Sequence, residues 1–404
     1  MFTFEAARKL ILDSVSPCGV ERVTILESLG RTLAEDIIAP CNLPAADNSA
    51  MDGYAVVSAD CGLPVTLEVI GHIQAGGWSN SVVVSGCAIK IMTGALIPPG
   101  CDAVVPVEET TGEDKFVHIK EPVRQWQHIR FKGEDVREGE TVIPKGTTIR
   151  PTEISMLASC GKAFVPVFRR PRVAILSTGD ELIELGEPVL PGTIINSNAF
   201  SLAASVREAG GEPIILGIAR DNREDHRLKM IEGLKADVLI TSAGVSAGDY
   251  DHVRDVLQEL GVEQKFWKVA MKPGGPTAFG MKEGKPVFSL PGNPVSTMVT
   301  FEIFVRPTLL RMMGRQRVIR PLVKVVLAEE VRKKAGKVQF VRLRIDQDGR
   351  GFRGHSSGDQ NTGILKTMLM ADAMAILPAE ASLCAAGEEV DAILLREDTG
   401  MMEE

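Results

Sequence analysis

The feature that most constrains the fold is a regular alternation of strand-like and helix-like segments from about residue 169 to 315. Four apolar, β-branched runs have the length of buried strands: VAILST, PIILGIA, DVLITSAG and PVFSLPG. The segments between them have helical spacing, as in NSNAFSLAASVREAGG and DHVRDVLQELG. This alternation predicts a mostly parallel sheet that is covered by helices on both faces.

The sections on either side of this α/β segment have a different pattern. The chain opens with an amphipathic helix, in which Thr3 can serve as the cap and Phe4, Ala7 and Ile11 share one face. Short strands separated by Gly and Pro follow up to about residue 165. Short strands and turns return after residue 318 and predict a small all-β domain. A chain of 404 residues has room for two to four domains.

Composition and charge exclude several classes of protein. A net charge of −8 disfavours non-specific nucleic-acid binding, because phosphate binding needs a basic surface. No apolar run approaches the roughly 20 residues that span a bilayer. The seven cysteines are scattered without a Cys-x-x-Cys pair, which argues against a disulfide framework or a zinc site. We therefore expect a cytoplasmic protein with no nucleic-acid or membrane partner.

Polar residues follow each of the four predicted strands. Asp180 and Glu181 follow the first strand, Asp221 follows the second, and Asn293 and Pro294 follow the fourth. The third strand is followed by GVSAGDYD. Ligands of an open parallel sheet bind outside the carboxyl ends of its strands. The sequence therefore predicts a site at this edge, although polar residues are also ordinary in turns.

The stretch after the third strand allows three interpretations. Gly244, Ser246 and Gly248 match the nucleophile elbow of α/β-hydrolases, Gly-x-Ser-x-Gly. A serine triad also needs a downstream histidine, but one of the two present is six residues from Ser246 and the other is in the C-terminal β section. Glycines that let the backbone approach a ligand, followed by Asp249 and Asp251 as carboxylates for a metal, are the better interpretation. An ordinary strand-to-helix turn is the third.

Two further segments suit an anionic ligand. In LPGNPVS, Gly292 permits a tight turn, and Asn293 and Pro294 suit a helix start whose free N–H groups attract anions. Lys268 and Lys272 are four residues apart and can neutralise phosphate. Together with the carboxylates, they suggest a phosphate-bearing ligand and Mg²⁺, which prefers hard oxygen ligands. Each segment alone is more typical of a capped helix without a ligand or of surface lysines.

The motifs together resemble the MoeA family, molybdopterin molybdenumtransferase, to which the gephyrin E domain is related. The matching stretches run in family order over nearly the whole chain: NSAMDGYAV, MTGALIPPGCDAVVPVEE, GEDVREGE, RVAILSTGDEL, GVSAGDYDHV, KPGGPTAFG and LPGNPVS. Two departures stand out. Ala243 replaces a glycine that many members carry, and Asn361 replaces a glycine of the C-terminal domain.

The resemblance implies a multidomain α/β and β fold with four domains in an elongated homodimer. These would be an N-terminal helical and β linker domain (1–44 plus 137–168), an inserted β domain (45–136), a central three-layer α/β molybdopterin-binding domain (169–317) and a C-terminal β-barrel-like domain (318–404). In the family, the cleft lies between the α/β domain of one subunit and the N-terminal β domain of its partner.

The resemblance also implies the reaction. Members insert molybdenum from molybdate into adenylylated molybdopterin, with Mg²⁺-dependent cleavage of the phosphoanhydride and release of AMP. Further expected partners are the molybdopterin adenylyltransferase that makes the substrate and the apoenzymes that accept the cofactor.

The family's functional residues transfer to matching positions of this sequence. The catalytic residues are expected at Asp52, Thr93, Asp135, Glu181, Asp221 and Asp251. Residues that bind the substrate are expected at Gly244, Ser246, Gly248, Asp249, Lys268, Lys272, Pro291, Gly292, Asn293, Pro294 and Arg342. Of these, Glu181, Asp221 and Asp251 are the expected Mg²⁺ ligands.

Other functions stay open beside molybdenum insertion. The protein would be a scaffold if it bound molybdopterin without turnover, although a scaffold need not keep the full set of acids and lysines. An adenylyltransferase of the preceding step would need only the α/β domain. Tungstate has nearly the size and charge of molybdate, so a tungsten-specific enzyme is a further alternative.

Overall fold

A computed structural model describes residues 1–113, 115–243, 252–348 and 351–396. The chain divides into two compact units. Unit 1 comprises Met1–Val23, Gly30–Ala34 and Pro166–Glu404, and unit 2 comprises Thr24–Leu29 and Glu35–Val165. None of the helices in the described ranges is long and apolar enough to cross a membrane.

The described residues form eight α-helices: α1 (Phe4–Ser14), α2 (Pro151–Ser159), α3 (Ser197–Glu208), α4 (Arg223–Gly233), α5 (His252–Glu259), α6 (Pro294–Thr300), α7 (Arg306–Met312) and α8 (Leu365–Leu369). Helix α1 begins as predicted, because the Thr3 side chain accepts a hydrogen bond from the Ala6 N–H group at 3.2 Å. Its residues Phe4, Ala7 and Ile11 are buried in the core of unit 1.

Unit 2 is organised around a six-stranded sheet. The strands of the N-terminal section are β1 (Val20–Thr24), β2 (Ile37–Ile38), β3 (Asn48–Ser49), β4 (Gly53–Val56), β5 (Val65–Ile73), β6 (Cys87–Ile91), β7 (Ala103–Pro106), β8 (Thr110–Glu113), β9 (Phe116–Ile119), β10 (Ile129–Arg130), β11 (Thr141–Ile143) and β12 (Phe164–Phe168). The strand order in the sheet is β7-β4-β6-β5-β9-β8. Only β5 and β6 are parallel neighbours in it. Buried residues form a hydrophobic cluster on each of its faces.

The central sheet of unit 1 confirms the predicted α/β architecture. The strands of this section are β13 (Arg172–Thr178), β14 (Leu182–Ile183), β15 (Ile194–Ile195), β16 (Glu212–Ala219), β17 (Val238–Ser242), β18 (Glu263–Phe266), β19 (Met271–Lys272), β20 (Ala278–Lys282) and β21 (Lys285–Leu290). The sheet has the order β16-β13-β17-β21-β20-β18, and its first four strands are parallel. These four are the strands predicted from the sequence.

Alternate residues of β13 face different cores. Val173 and Ile175 belong to a cluster with residues of α3 and α6, whereas Ala174 and Leu176 belong to a second cluster with residues of α4 and α5. Both faces of β13 are therefore buried, as expected for a central strand of a parallel sheet.

The C-terminal section forms a closed barrel, as the predicted barrel-like domain requires. Its strands are β22 (Leu322–Leu327), β23 (Val331–Arg332), β24 (Val338–Asp348), β25 (Gly351–Ser356), β26 (Ala373–Leu377), β27 (Leu383–Cys384) and β28 (Glu389–Leu394). The pairing runs β24-β25-β22-β28-β26 and returns from β26 to β24. Closure leaves these five strands without an open sheet edge.

Gly53 in the turn MDGY is required by the close approach of two strands. Its backbone has an ordinary φ, but a Cβ atom there would lie 1.9 Å from the carbonyl oxygen of Val105 on β7. The neighbouring residue Asp52 precedes β4 directly, and its carbonyl oxygen accepts a hydrogen bond from the Val107 N–H group at 3.0 Å, next to β7.

We predict that Gly53→Ala destabilises the protein by about 2 kcal/mol or more, because the added methyl group must displace backbone. Thermal unfolding measures the effect. Gly62→Ala is the matched control, since its backbone is right-handed helical and a Cβ there meets no atom within 4 Å. Equal melting temperatures for the two variants would contradict this explanation.

Candidate active site

A cleft of about 740 Å³ opens at the carboxyl ends of the parallel strands of unit 1. Ser177 near the end of β13 and Ser242 at the end of β17 form part of its wall, as does the turn from Pro291 to Pro294 that follows β21. The cleft therefore lies at the sheet edge to which the sequence analysis assigns the site.

Six of the predicted site residues line this cleft: Glu181, Lys268, Pro291, Gly292, Asn293 and Pro294. The carboxylate of Glu181 packs against Gly179 at the end of β13. With a φ of +139°, Gly179 adopts a backbone conformation that favours glycine, and a Cβ atom there would meet Glu181 Oε2 at 2.4 Å. The carboxylate of Glu181 therefore lies directly against the backbone of Gly179, in space that a side chain at residue 179 would share.

The turn before α6 differs in detail from the sequence-based expectation. The side chain of Asn293 does not cap α6. Instead its Nδ2 donates to Thr362 Oγ1 at 2.9 Å, and the N–H group of Val295 donates to the carbonyl oxygen of Thr362 at 3.3 Å. One of the helical N–H groups expected to face an anion is thus used within the protein. The adjacent Gly363 lines the cleft.

Arg342 is buried and does not line the cleft. It is 1 % exposed, and burial lowers its pKa while the nearby Asp359 opposes that shift. Its Nη2 donates to the carbonyl oxygens of Asp359 at 2.9 Å and Asn361 at 3.3 Å. The Gln360 side chain bonds both the N–H and the carbonyl of Arg342. Arg342 therefore anchors the segment that carries Thr362 to the cleft.

The other predicted site residues of the α/β section either do not line the cleft or lie outside the described ranges. The N–H group of Asp221 donates to Asp180 Oδ1 at 3.0 Å, and that of Asp180 donates to Asp221 Oδ2 at 3.4 Å. Neither residue lines the cleft, nor does Lys272, which lies on β19. Five predicted residues lie outside the described ranges: Gly244, Ser246, Gly248, Asp249 and Asp251. Within those ranges, no three His, Cys, Asp or Glu side chains form a metal-binding group.

Unit 2 brings together two of its three predicted site residues. Asp52 Oδ1 accepts hydrogen bonds from the N–H group and the hydroxyl of Thr93, both at 2.7 Å. The backbone hydrogen bond, and then the hydroxyl one, lower the pKa of Asp52. Asp135 is exposed, and its N–H group donates to the carbonyl oxygen of Leu43 at 3.0 Å. No hydrogen bond among the described residues joins it to the Asp52–Thr93 pair.

The residues of the cleft wall that the sequence analysis missed include Ser177, Asn196 and Asn198. Asn196 caps α3, because its Oδ1 accepts from the Ala199 N–H group at 3.4 Å, and it also accepts from the Ser177 hydroxyl at 2.8 Å. Asn198 Nδ2 donates to Ser242 Oγ at 2.9 Å and to the carbonyl oxygen of Gly292 at 2.7 Å. The available signal was NSN at the start of a helix, which is ordinary capping chemistry.

A second cleft, of about 580 Å³, lies in unit 1 between α3 and α8. Its wall includes Met298, Phe301 and Leu369 and contains none of the predicted site residues. None of the carboxyl ends of the four parallel strands contributes to its wall. We therefore assign the site to the first cleft.

The Asp52–Thr93 contact predicts the titration of the Asp52 carboxyl. Thr93→Val removes the hydroxyl donor and should raise the pKa of Asp52 towards its ordinary value, whereas Thr93→Ser, which keeps a hydroxyl, should leave it low. Carbon NMR titration of the aspartate carboxyls measures both. An identical Asp52 pKa in the valine variant and the wild type would contradict a role for the hydroxyl.

The contacts of Arg342 predict a local effect of removing it. Arg342→Met should speed hydrogen exchange at Asn361–Gly363 by tenfold or more, because the segment loses its two bonds to the guanidinium. Arg344→Met, at an exposed position two residues along the same strand, is the control and should not change it. Unchanged exchange in the Arg342 variant would show that the segment is held by other contacts.

Three family profiles cover most of the chain. Residues 2–161 match the "MoeA N-terminal region (domain I and II)". Residues 174–311 match a "Probable molybdopterin binding domain", and residues 324–395 match the "MoeA C-terminal region (domain IV)". All residues that line the strand-end cleft lie within the parts of the chain that the second and third profiles cover.

Similar proteins of full length carry the same name. The chain is 37 % identical to the molybdopterin molybdenumtransferase of Haemophilus influenzae, covering 96 % of this chain and 98 % of that protein. It is 36 % identical to molybdopterin molybdenumtransferase 2 of Mycobacterium tuberculosis, with the same coverage. The crystal structure of a molybdopterin biosynthesis MoeA protein from Pyrococcus horikoshii superposes with a TM-score of 0.85 at 32 % identity, covering 98 % of this chain and 99 % of that one. The chain therefore belongs to the MoeA family of molybdopterin molybdenumtransferases, transferases of molybdenum cofactor biosynthesis.

Proposed function

We propose that the protein inserts molybdenum from molybdate into adenylylated molybdopterin and releases AMP in a Mg²⁺-dependent step. The observation that carries this proposal is the cleft at the strand ends, where Glu181, Lys268 and the turn Pro291–Pro294 surround one cavity. Its volume of about 740 Å³ is within the usual range for a small-molecule site. Membership of the family supports the choice of substrate.

The charged groups of the cleft suit a phosphoanhydride and an oxyanion. Lys268 is exposed in the cleft wall, where its ammonium can bind a phosphate oxygen or molybdate as a point charge. The same cavity holds the carboxylate of Glu181, which would repel a bare anion. A divalent cation between the carboxylate and the substrate phosphates resolves this conflict of charge.

Mg²⁺ usually takes one or two carboxylates together with phosphate oxygens and water, and the Glu181 carboxylate in the cleft fits that role. Glu181 would hold it, and the family resemblance adds Asp221, which does not line the cleft, and Asp251, which lies outside the described residues. The reciprocal bonds between Asp180 and Asp221 use one carboxylate oxygen of each, so each keeps a second oxygen. When bound, Mg²⁺ supplies charge neutralisation for the departing AMP phosphate.

In unit 2, the Asp52–Thr93 pair offers a carboxylate with a defined protonation state. Two short hydrogen bonds from Thr93 favour its ionised form, so Asp52 is a carboxylate rather than a general acid at neutral pH. An ionised acid can accept a hydrogen bond from a pterin N–H group. The proposed catalytic roles of Asp52, Thr93 and Asp135 otherwise follow the family resemblance.

We also propose a homodimer in the cytoplasm, with the adenylyltransferase and acceptor apoenzymes as further partners. All seven cysteines are unpaired, which supports a reducing compartment. Burial raises the pKa of Cys61 to about 11 and that of Cys101 to about 12, with nearby aspartates adding to both shifts. These two thiols therefore stay protonated and unreactive at neutral pH.

The test is AMP release from adenylylated molybdopterin with Mg²⁺, in the presence and absence of molybdate or tungstate. We expect AMP release that depends on the oxyanion, followed by activation of a molybdenum-free apoenzyme. Comparison of molybdate with tungstate then identifies which metal the protein inserts. Tight binding of the substrate without AMP release under any of these conditions would instead support a scaffold.

The same assay tests the role of Glu181. Glu181→Gln keeps the size of the side chain and removes its charge, so we predict a fall in turnover of a hundredfold or more with an unchanged melting temperature. Glu212→Gln is the matched control, because Glu212 is an exposed glutamate at the amino end of β16, on the opposite edge of the sheet. Full turnover in the Glu181 variant would show that the reaction does not need this carboxylate.

A further inference from the structure

Two asparagines in the cleft wall each have one hydrogen-bonding atom that is buried and unused. Asn196 is 1 % exposed, and its Nδ2 has no hydrogen-bond partner within the described ranges. The Oδ1 of Asn198 is likewise buried and has none there. Burying a polar atom without a partner costs free energy, which a ligand that supplies the partner recovers. Both residues line the cleft.

Neighbouring backbone groups fix the orientation of both amides. The N–H group of Ala199 can only donate, so the atom of Asn196 that faces it must be the oxygen, and the amide nitrogen is the unused atom. The carbonyl of Gly292 can only accept, so the atom of Asn198 that faces it must be the nitrogen. One residue therefore offers a donor and the other an acceptor.

The two amides are anchored to neighbouring strands. Asn196 is bonded to Ser177 on β13, and Asn198 is bonded to Ser242 on β17. Ser177 and Ser242 are direct partners in the parallel pairing of these strands. Adjacent strands are about 4.8 Å apart. The anchors of the donor and the acceptor are thus side by side on one sheet edge, at a spacing suited to a single ring system.

We propose that Asn196 and Asn198 determine specificity by binding the edge of a nitrogen heterocycle in the substrate. The Asn196 amide donates to a ring carbonyl or ring nitrogen, and the Asn198 oxygen accepts from an adjacent ring N–H or amino group. The inference rests on the proposed function, because both the pterin and the adenine of adenylylated molybdopterin carry neighbouring donors and acceptors of this kind. Asparagine is well suited to such an edge.

Calorimetric titration of the full-length protein with AMP and, separately, with molybdopterin tests the proposal and identifies the ring. Asn196→Asp keeps the oxygen that caps α3 and removes the N–H donors, while Asn198→Ala removes the acceptor without adding charge. Asn222→Asp is the control, because Asn222 caps α4 in the same way and lies outside the cleft wall.

We expect both cleft variants to weaken the same ligand about tenfold and to leave the other within twofold, as the loss of one hydrogen bond requires. Because the two variants differ in charge, agreement between them excludes simple repulsion of an anion. Unchanged affinities, or an equal loss for both ligands with a lower melting temperature, would overturn this inference and leave the proposed function standing. A wild-type protein that binds neither ligand would overturn the proposed function as well.

Discussion

The burial of the parallel sheet on both faces is the constraint on which the rest of unit 1 depends. Val173 and Ile175 of β13 face one core and Ala174 and Leu176 face the other, so neither face can accommodate a polar ligand. Polar residues that can bind a ligand therefore lie at the ends of the strands. The parallel direction of β16, β13, β17 and β21 brings four such ends to a single edge, and the cleft follows from that arrangement.

The barrel of unit 1 contributes to the cleft through one short segment. Arg342 is buried in β24 and holds Asp359 and Asn361 by their carbonyl groups. In the same segment, the Thr362 hydroxyl accepts a hydrogen bond from Asn293, and Gly363 lines the cleft wall. A buried guanidinium is costly unless it is hydrogen-bonded, and here the bonds go to the backbone of the segment it positions. We therefore interpret Arg342 as a positioning residue rather than as a direct contact of the ligand.

The fold was largely predictable from the sequence, because strand-length apolar runs alternate with helical spacing. Glu181 and the turn at Pro291–Pro294 were also predictable, since they directly follow strands. Asn196 and Asn198 were not, because cap residues look alike whether or not a ligand uses them. The true contacts of Asn293 and Arg342 depend on residues 17 to 69 positions away in the chain, which one sequence does not pair.

The most direct test of the central claim is diffraction from crystals grown with AMP and tungstate, with data collected at the tungsten absorption edge. Tungsten locates the oxyanion without ambiguity, and the nucleotide locates the leaving group. The account predicts an anomalous peak in the cleft at the strand ends, near Lys268, with AMP in the same cavity. A peak in the second cleft, between α3 and α8, or an empty strand-end cleft at saturating ligand, would contradict it.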